Sequence, residues 1–346
     1  MTGISIVAPI VERKAFEAAL AEANRFRGAT APNPPVGAVA LNESGEILSL
    51  AAHERAGTPH AEAKVIAALS TPEENLKRIH TLFITLEPCN HHGRTPPCTE
   101  AILKVFRHSP KVQVIYGVAD PNPKVEGGGA ARLKAAGVWI EPLEKRVLPN
   151  DPLLVGCREL IGPFAKHSKT GIPWVTVKTV WNEEGSMIPP AGRKTFSSPA
   201  SLKLAHELRK RADAIVTGSG TVLADSPEFT VRHVADHPPN PQKKRILTVL
   251  DRNNRVSPDW YAARSAQGFE ILACPPEMSF PEFLQVLGRR GVLEVLVEAG
   301  PTLSGFVLSQ GLWDEHIRID VRSAKSKEDQ VTRKFRELCS PASSNP

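Results

Sequence analysis

Short apolar runs that suit buried strands alternate along this chain with stretches at helical spacing, and that alternation confines the fold to layered α/β architectures. Residues 11–27 place Phe16, Ala19, Leu20, Ala23 and Phe26 on one helical face. The rigid breaker ATAPNPP follows, and VGAVAL then reads as a buried strand. Further along, HAEAKVIAAL, CTEAILKV and GGAARLKAAG read as helices, and TLFITLEP, KVQVIYGV and VWIEP as strands. The segment 144–171, with Pro149, Pro152, Gly162, Pro163 and Gly171, reads as an irregular connection holding one helix near 152–160. A second alternation then begins. WVTVKTV, AIVTGS, KRILTVLD, FEILAC and VLEVLVEAG read as strands, and SLKLAHELRKRA, PEFLQVLGRRG and TLSGFVLSQG as helices. Two domains are expected, residues 1–146 and 172–322, joined by a connection at 147–171. A polar tail at 323–346 is expected to be partly disordered.

His60 and Glu62 open one predicted helix, Cys89 follows a strand end at Pro88, and Cys98 opens the next helix. One imidazole and two thiolates make a soft donor set that suits zinc and leaves a fourth position for water. A helix N-terminus favours the thiolate of Cys98. Glu62, two positions beyond His60, can stand beside that water without being a ligand, take its proton and deliver it to a leaving amine. Zinc deaminases carry this set with a Pro-Cys-x-x-Cys spacing. Here eight residues, NHHGRTPP, separate the cysteines, so the short-spaced signature is not matched. A structural zinc or two core cysteines is the competing reading, but neither requires Glu62 beside His60. Cys157, Cys274 and Cys339 have no such company and read as packing or surface thiols.

The longer insertion is the identifying feature. EPCNHHGRTPPC, together with APNPPVGAVAL, GTPHAEAKVI and VADPNPKVEGGGAARLKAAGV, resembles the riboflavin-biosynthesis pyrimidine deaminases, which many bacteria fuse to a reductase. The resemblance implies a cytidine-deaminase-like three-layer N-terminal domain with one zinc ion per chain on His60, Cys89 and Cys98. It also implies Glu62 as the catalytic proton carrier and hydrolytic deamination of 2,5-diamino-6-ribosylamino-4(3H)-pyrimidinone 5′-phosphate. Asn33, His53, His91, Arg94, Asp120 and Asn122 fall in segments where the family gathers substrate-contacting groups. Arg94 suits a phosphate through its bidentate fork. Asn33 and Asn122 can donate to and accept from a heterocycle edge, although each precedes a proline and equally suits a turn. His92 has no assigned role and is expected at the surface.

PWVTVK, LRKRADAIVTGSGTVLADSPEFTVR and VLVEAGPTLSGFVLSQGLWDE are similar to the fused reductase. That likeness implies a dihydrofolate-reductase-like α/β domain that reduces the ribosyl group to ribityl with NADPH. By motif position Thr221 and Asp225 match cofactor contacts, and Arg209, Phe229, Arg232 and Glu298 match substrate contacts. The turn Gly300, Pro301, Thr302 and Leu303, between a strand and a helix start, suits a cofactor phosphate. Arg209 and Arg232 suit the substrate phosphate, or an ordinary solvated basic face. The match loosens on the cofactor side. Asn182-Glu183-Glu184-Gly185 stands where the family reads Ser-Leu-Asp-Gly, Ser186-Met187-Ile188 replaces Arg-Thr-Ala, and Phe196-Ser197-Ser198 replaces Trp-Ile-Thr. The chain also ends soon after IRIDV, where the family usually continues. Two carboxylates near a polyanionic cofactor would repel it, so two readings stand: a bifunctional enzyme, or a deaminase with a degenerate reductase domain.

Composition narrows the partners. Aromatic residues make up 5% of the 346 and no long Lys/Arg run exists, which argues against a nucleic-acid deaminase despite the formal charge of +6. No apolar stretch approaches the roughly 18 residues of a membrane span, and the N-terminus lacks the basic region and cleavage site of a secretory signal. Five scattered cysteines do not form a disulfide framework. A cytoplasmic enzyme is expected, acting on a small phosphorylated pyrimidine, with no nucleic-acid or membrane partner and with a homo-oligomeric assembly.

Overall fold

The computed structural model describes residues 9–91, 96–122, 128–188, 197–238, 240, 243–322 and 328–336. The chain divides into two compact units, Met1–Thr170 and Gly171–Pro346. Among the described residues the first unit contains α1 (Pro9–Asn24), β1 (Gly37–Leu41), β2 (Ile47–Ala52), α2 (Ala61–Ala68), β3 (Thr81–Leu86), α3 (Cys98–His108), β4 (Gln113–Val118), α4 (Gly128–Ala135), β5 (Trp139–Pro142) and α5 (Pro152–Thr170). Its strands form one sheet in the order β2-β1-β3-β4-β5. β1 runs antiparallel to β2 and β3, whereas β3, β4 and β5 are parallel.

Alternation along the strands sends side chains to opposite faces. Ala38, Ala40, Leu82, Ile84, Val114 and Ile140 pack with α2, α3 and α4 on one face. Val39, Leu41, Phe83 and Ile115 pack with α1 and α5 on the other. Both faces are covered, which makes three layers and explains why these strands read as continuous apolar runs. α1 lies close on the sheet: a Cβ at Gly37 would fall 2.0 Å from the Ala19 carbonyl oxygen, so that strand start admits only glycine.

Three features depart from the sequence reading. β2 was not expected, because its sequence ILSLAA follows the polar turn NESGE. Gly45 at φ 85 and the Asn42 side chain, which accepts from Glu46 N at 2.8 Å, fold that turn back and pair β2 with β1. Residues 147–171, expected as a connection, contain the 19-residue helix α5, which passes through Pro163. Leu153, Leu154, Cys157 and Leu160 bury against the first sheet, and that burial outweighs the breaker residues. Of the tail expected at 323–346, residues 330–335 form a strand, described below.

The second unit contains β6 (Trp174–Trp181), α6 (Pro199–Arg211), β7 (Ala214–Gly218), α7 (Ser219–Asp225), β8 (Ile246–Leu250), α8 (Pro258–Ala266), β9 (Glu270–Ile271), α9 (Phe280–Arg289), β10 (Glu294–Glu298), α10 (Pro301–Ser309), β11 (Glu315–Asp320) and β12 (Gln330–Phe335). Its sheet runs β12-β11-β6-β10-β7-β8-β9, with every described pair parallel except β11 and β12. β10 inserts between β6 and β7, setting Glu298 beside Lys178 in register. The parallel strands therefore deliver Lys178, Gly218, Leu250 and Glu298 toward one edge of the sheet, where open α/β sheets bind ligands. β12 is polar and gave no strand signal. Backbone pairing with β11 and the Arg333–Glu315 ion pair hold it. No helix among the described residues is long and apolar enough to cross a membrane.

Candidate active sites

Three local structures converge in the first unit. His60 is the N-cap of α2, Cys98 is the first residue of α3, and Cys89 lies just beyond the end of β3. His60 Nδ1 lies 3.3 Å from Cys98 Sγ and 3.6 Å from Cys89 Sγ, and Cys98 N donates to Cys89 Sγ at 3.3 Å. All three donor atoms fall within 4.8 Å of one another. Tetrahedral zinc with Zn–S of ~2.3 Å and Zn–N of ~2.0 Å sets such atoms ~3.5 Å apart, so the set fits the ion. Hydrogen bonding from Cys98 and His60 holds the Cys89 thiol well below its ordinary range, while the same contact and burial push the Cys98 thiol up, so the pair shares one negative charge.

Glu62 is the other half of this site. It is 4% exposed, and its Oε2 is buried with no hydrogen-bond partner. Burial, reinforced by the negative charge of Cys89, pushes its carboxyl up to about 7. A buried carboxylate oxygen with no partner is costly unless something charged or protic joins it.

The surrounding residues fall into two groups. Asn33 is half-buried, and its Nδ2 lies 3.1 Å from His53 Nε2. His53 is buried, with Nδ1 3.4 Å from the Pro59 carbonyl and its ring 5.0 Å from that of His60. Because a carbonyl only accepts, Nδ1 carries the proton and Nε2 accepts from Asn33. Burial and the neighbouring His60 pull His53 down to about 4, so it is neutral. Both its nitrogens are thus engaged within the protein, behind Asn33. Asp120, near His91 and Cys89, is buried, which raises its carboxyl, and accepts from Asn122 N at 2.9 Å. His91 is exposed. Arg94 and His92 lie outside the described residues.

In the second unit a cavity of about 1270 Å³ opens at the strand ends. That exceeds the ~300–1,000 Å³ of a single drug-sized ligand, leaving room for a dinucleotide and a substrate together. It brings together Arg209, Thr221, Asp225, Phe229, Arg232, Glu298 and Gly300 to Leu303. The first turn of α10, which no side chain caps, lines it and suits a phosphate. Thr221 Oγ1 accepts from Gly300 N at 2.8 Å and ties the two cofactor-side segments together.

A buried ionic cluster lines the cavity. Arg209 grips Glu298 with two bonds, Nε to Oε2 at 2.8 Å and Nη2 to Oε1 at 2.7 Å, and Lys178 Nζ donates to Oε1 at 2.7 Å. Burial opposes the charge on Glu298, but Arg209 and Lys178 together hold its carboxyl well below the usual range. Lys178 stands inside the motif PWVTVK yet drew no notice in the sequence, because only its β10 neighbour reveals its partner. Arg209 Nη1 also donates to Thr230 O at 3.3 Å, so each of its three nitrogens makes a bond within the protein. Arg232 is half-exposed and pairs with Glu228. Phe229 adopts φ 58 and buries its ring to 1% exposure beneath Arg209, acting as support rather than as an open face. Glu183 and Glu184 lie on an exposed turn and do not line the cavity, whereas Met187 and Ile188 do. Among the described residues, the part of this departure that lines the cavity is therefore apolar. Phe196 lies outside the described residues, while Ser198 caps α6.

Known proteins show the same pairing of domains. Residues 10–115 match the cytidine and deoxycytidylate deaminase zinc-binding region, and residues 173–319 match the RibD C-terminal domain. The riboflavin biosynthesis protein RibD of Escherichia coli (strain K12) is 34% identical over 326 residues, covering 86% of this chain and 84% of that protein. RibD of Aquifex aeolicus (strain VF5) is 34% identical over 325 residues, covering 88% and 85%. Among solved structures, a diaminohydroxyphosphoribosylaminopyrimidine deaminase/5-amino-6-(5-phosphoribosylamino)uracil reductase from Thermotoga maritima superposes with a TM-score of 0.72 at 26% identity, over 92% of this chain and 89% of that one. Acinetobacter baumannii RibD superposes with a TM-score of 0.69 at 28% identity, over 92% and 89%.

Proposed function

The chain belongs to the RibD family of riboflavin-biosynthesis proteins, and from that premise we propose how its two units divide the work. The first removes an amino group from 2,5-diamino-6-ribosylamino-4(3H)-pyrimidinone 5′-phosphate, and the second reduces the ribosyl side chain to ribityl with NADPH. The observation that carries the first assignment is the buried Glu62 carboxylate, its Oε2 without a hydrogen-bond partner, beside three convergent donor atoms.

His60, Cys89 and Cys98 would hold zinc, which when bound supplies Lewis acidity and makes water a competent nucleophile near neutral pH. Glu62 accepts a proton from water as oxygen adds to the ring carbon bearing the amine. It delivers that proton to the adjacent ring nitrogen, whose C=N π bond the addition opens, then carries the added hydroxyl's proton to the amine nitrogen, so that the C–N bond breaks, ammonia leaves and a carbonyl forms. Asn33 and Asp120 with Asn122 hold the heterocycle edge from two sides, and the exposed His91 and the neighbouring Arg94 serve the phosphate. His53 acts by fixing the Asn33 amide. The reduced thiols this chemistry needs suit a reducing compartment such as the cytoplasm.

In the second unit Thr221, Asp225 and residues 300–303 hold the cofactor. Lys178, Arg209 and Glu298 form the polar floor that orients the sugar, and Arg232 takes the phosphate. A second reading, a deaminase whose second unit no longer reduces, is favoured by Met187 and Ile188 along the cavity wall. Supplying the pyrimidine substrate to the zinc-loaded chain with and without NADPH, and identifying products by mass, tests both. Oxygen in place of an amino nitrogen marks the first reaction. A further gain of a hydride and a proton, seen only with NADPH, marks the second, and its absence selects the second reading.

A further inference from the structure

Glu87 lies between the end of β3 and the Pro88-Cys89 turn, and it is 3% exposed. Its backbone N–H donates to Val118 O at 2.9 Å, continuing the pairing of β3 with β4. Its carboxylate reaches in two directions. Oε1 accepts from Ala130 N at 3.0 Å, in the first turn of α4, and Oε2 accepts from Asp120 N at 3.3 Å, in the loop after β4. The junction is tight, since a Cβ on Gly129 would lie 1.8 Å from the Pro88 carbonyl oxygen. Three segments thus meet at one side chain: the turn that carries Cys89, the loop that carries Asp120 and Asn122, and the start of α4.

Two backbone N–H groups from separate segments, each on its own oxygen, need a side chain with two acceptor atoms. A carboxylate supplies them. An amide of the same shape supplies one and turns an NH₂ toward the other N–H, leaving a buried donor unsatisfied. Packing alone therefore does not account for an acid at this position.

We propose that Glu87 is a positioning residue for the deamination, fixing the Asp120–Asn122 loop against the Cys89 turn so that the heterocycle edge is held in register with the reacting carbon. The proposal rests on the reading of the first unit as a pyrimidine deaminase with Asp120 on its substrate side. Glu87 touches neither metal nor substrate in this role. It acts through Asp120, whose carboxylate in turn accepts from Asn122 N.

The test uses the full zinc-loaded chain and compares Glu87→Gln, Glu87→Asp, Asp120→Ala and the Glu87→Gln/Asp120→Ala double variant. Glu87→Gln should keep the wild-type zinc content by elemental analysis, raise the deamination KM roughly tenfold and leave kcat within about threefold. Glu87→Asp, which keeps both acceptor oxygens, should recover part of the loss and serves as the reporter if the amide variant misfolds. In the double variant the two KM effects should combine to less than their product, the mark of a shared route. A wild-type KM in Glu87→Gln, a loss of zinc in proportion to activity, or fully multiplicative effects would each overturn the proposal. Absence of deamination by the wild-type chain would overturn the underlying reading, and is distinguished because no variant enters that comparison.

Discussion

At the scale of single residues the two units solve opposite electrostatic problems. Glu62 is a buried acid with one carboxylate oxygen left without a hydrogen-bond partner, a cost that a bound metal and its water would offset. Glu62→Gln keeps shape and zinc but cannot shuttle a proton, so deamination should fall by roughly 10²–10⁴-fold with metal content unchanged. Steady-state rates beside elemental zinc analysis check both halves. Glu298 is a buried acid with two cationic partners. Its folded pKa lies below the unfolded value of about 4.3, so its stabilisation is complete above that pH and is lost as pH falls below it. Glu298→Gln should destabilise the second unit at pH 7, by about 3–5 kcal/mol for a broken buried pair. It should also flatten the loss of stability between pH 7 and pH 3, while the similarly held Glu315 keeps part of that slope. Urea unfolding followed by tryptophan fluorescence reads this unit, which contains Trp174, Trp181, Trp260 and Trp313. An unchanged pH slope would show that the Arg209–Glu298 pair contributes nothing.

At the scale of elements, α5 is the instructive case. Its Pro and Gly content reads as a connection, yet Leu153, Leu154, Cys157 and Leu160 recur at helical spacing and close the second face of the first sheet. Leu154→Ala should therefore destabilise the first unit by about 2–5 kcal/mol, the range for emptying a buried leucine site. Cys157, whose thiol is fully buried and pushed up to about 12 by that burial, offers the readout. Native-state labelling by a thiol reagent should be slow in the wild type and faster in the variant. Fast labelling of wild-type Cys157 would mean that α5 is a loose connection after all. β2 and β12 were illegible for a different reason. Each is an edge strand held by backbone pairing to one neighbour, and such pairing leaves little trace in side-chain pattern.

At the scale of the whole molecule, each unit has its own sheet, its own apolar core and its own candidate site. Separate cores imply separable chemistry. The Glu62→Gln chain, supplied with the deaminated pyrimidine and NADPH, should reduce it at the wild-type rate. A reduction rate that falls together with deamination would mean that the second reaction depends on the first site being functional.

The three convergent donors and the acid beside them were legible in the sequence because each occupies a position that local structure alone makes conspicuous. His60 and Cys98 start helices, Cys89 ends a strand turn, and Glu62 is two residues from a ligand. The strand-to-helix turn at Gly300 and the alternation that builds both sheets were legible for the same reason, since strand and helix periods are local properties. What only the tertiary structure decided is which groups are already spoken for. Arg209 and Phe229 look like open contacts in sequence, but β10 inserts beside β6 and turns Arg209 onto Glu298, with Phe229 beneath it. His53 spends both nitrogens on Asn33 and Pro59, and Glu183 and Glu184 are exposed and do not line the cavity. Lys178 and Glu87 gained their roles the same way, from partners 120 and 33 or more residues distant. Long-range pairing is invisible to periodicity because it depends on strand order, and strand order is fixed only when the sheets assemble.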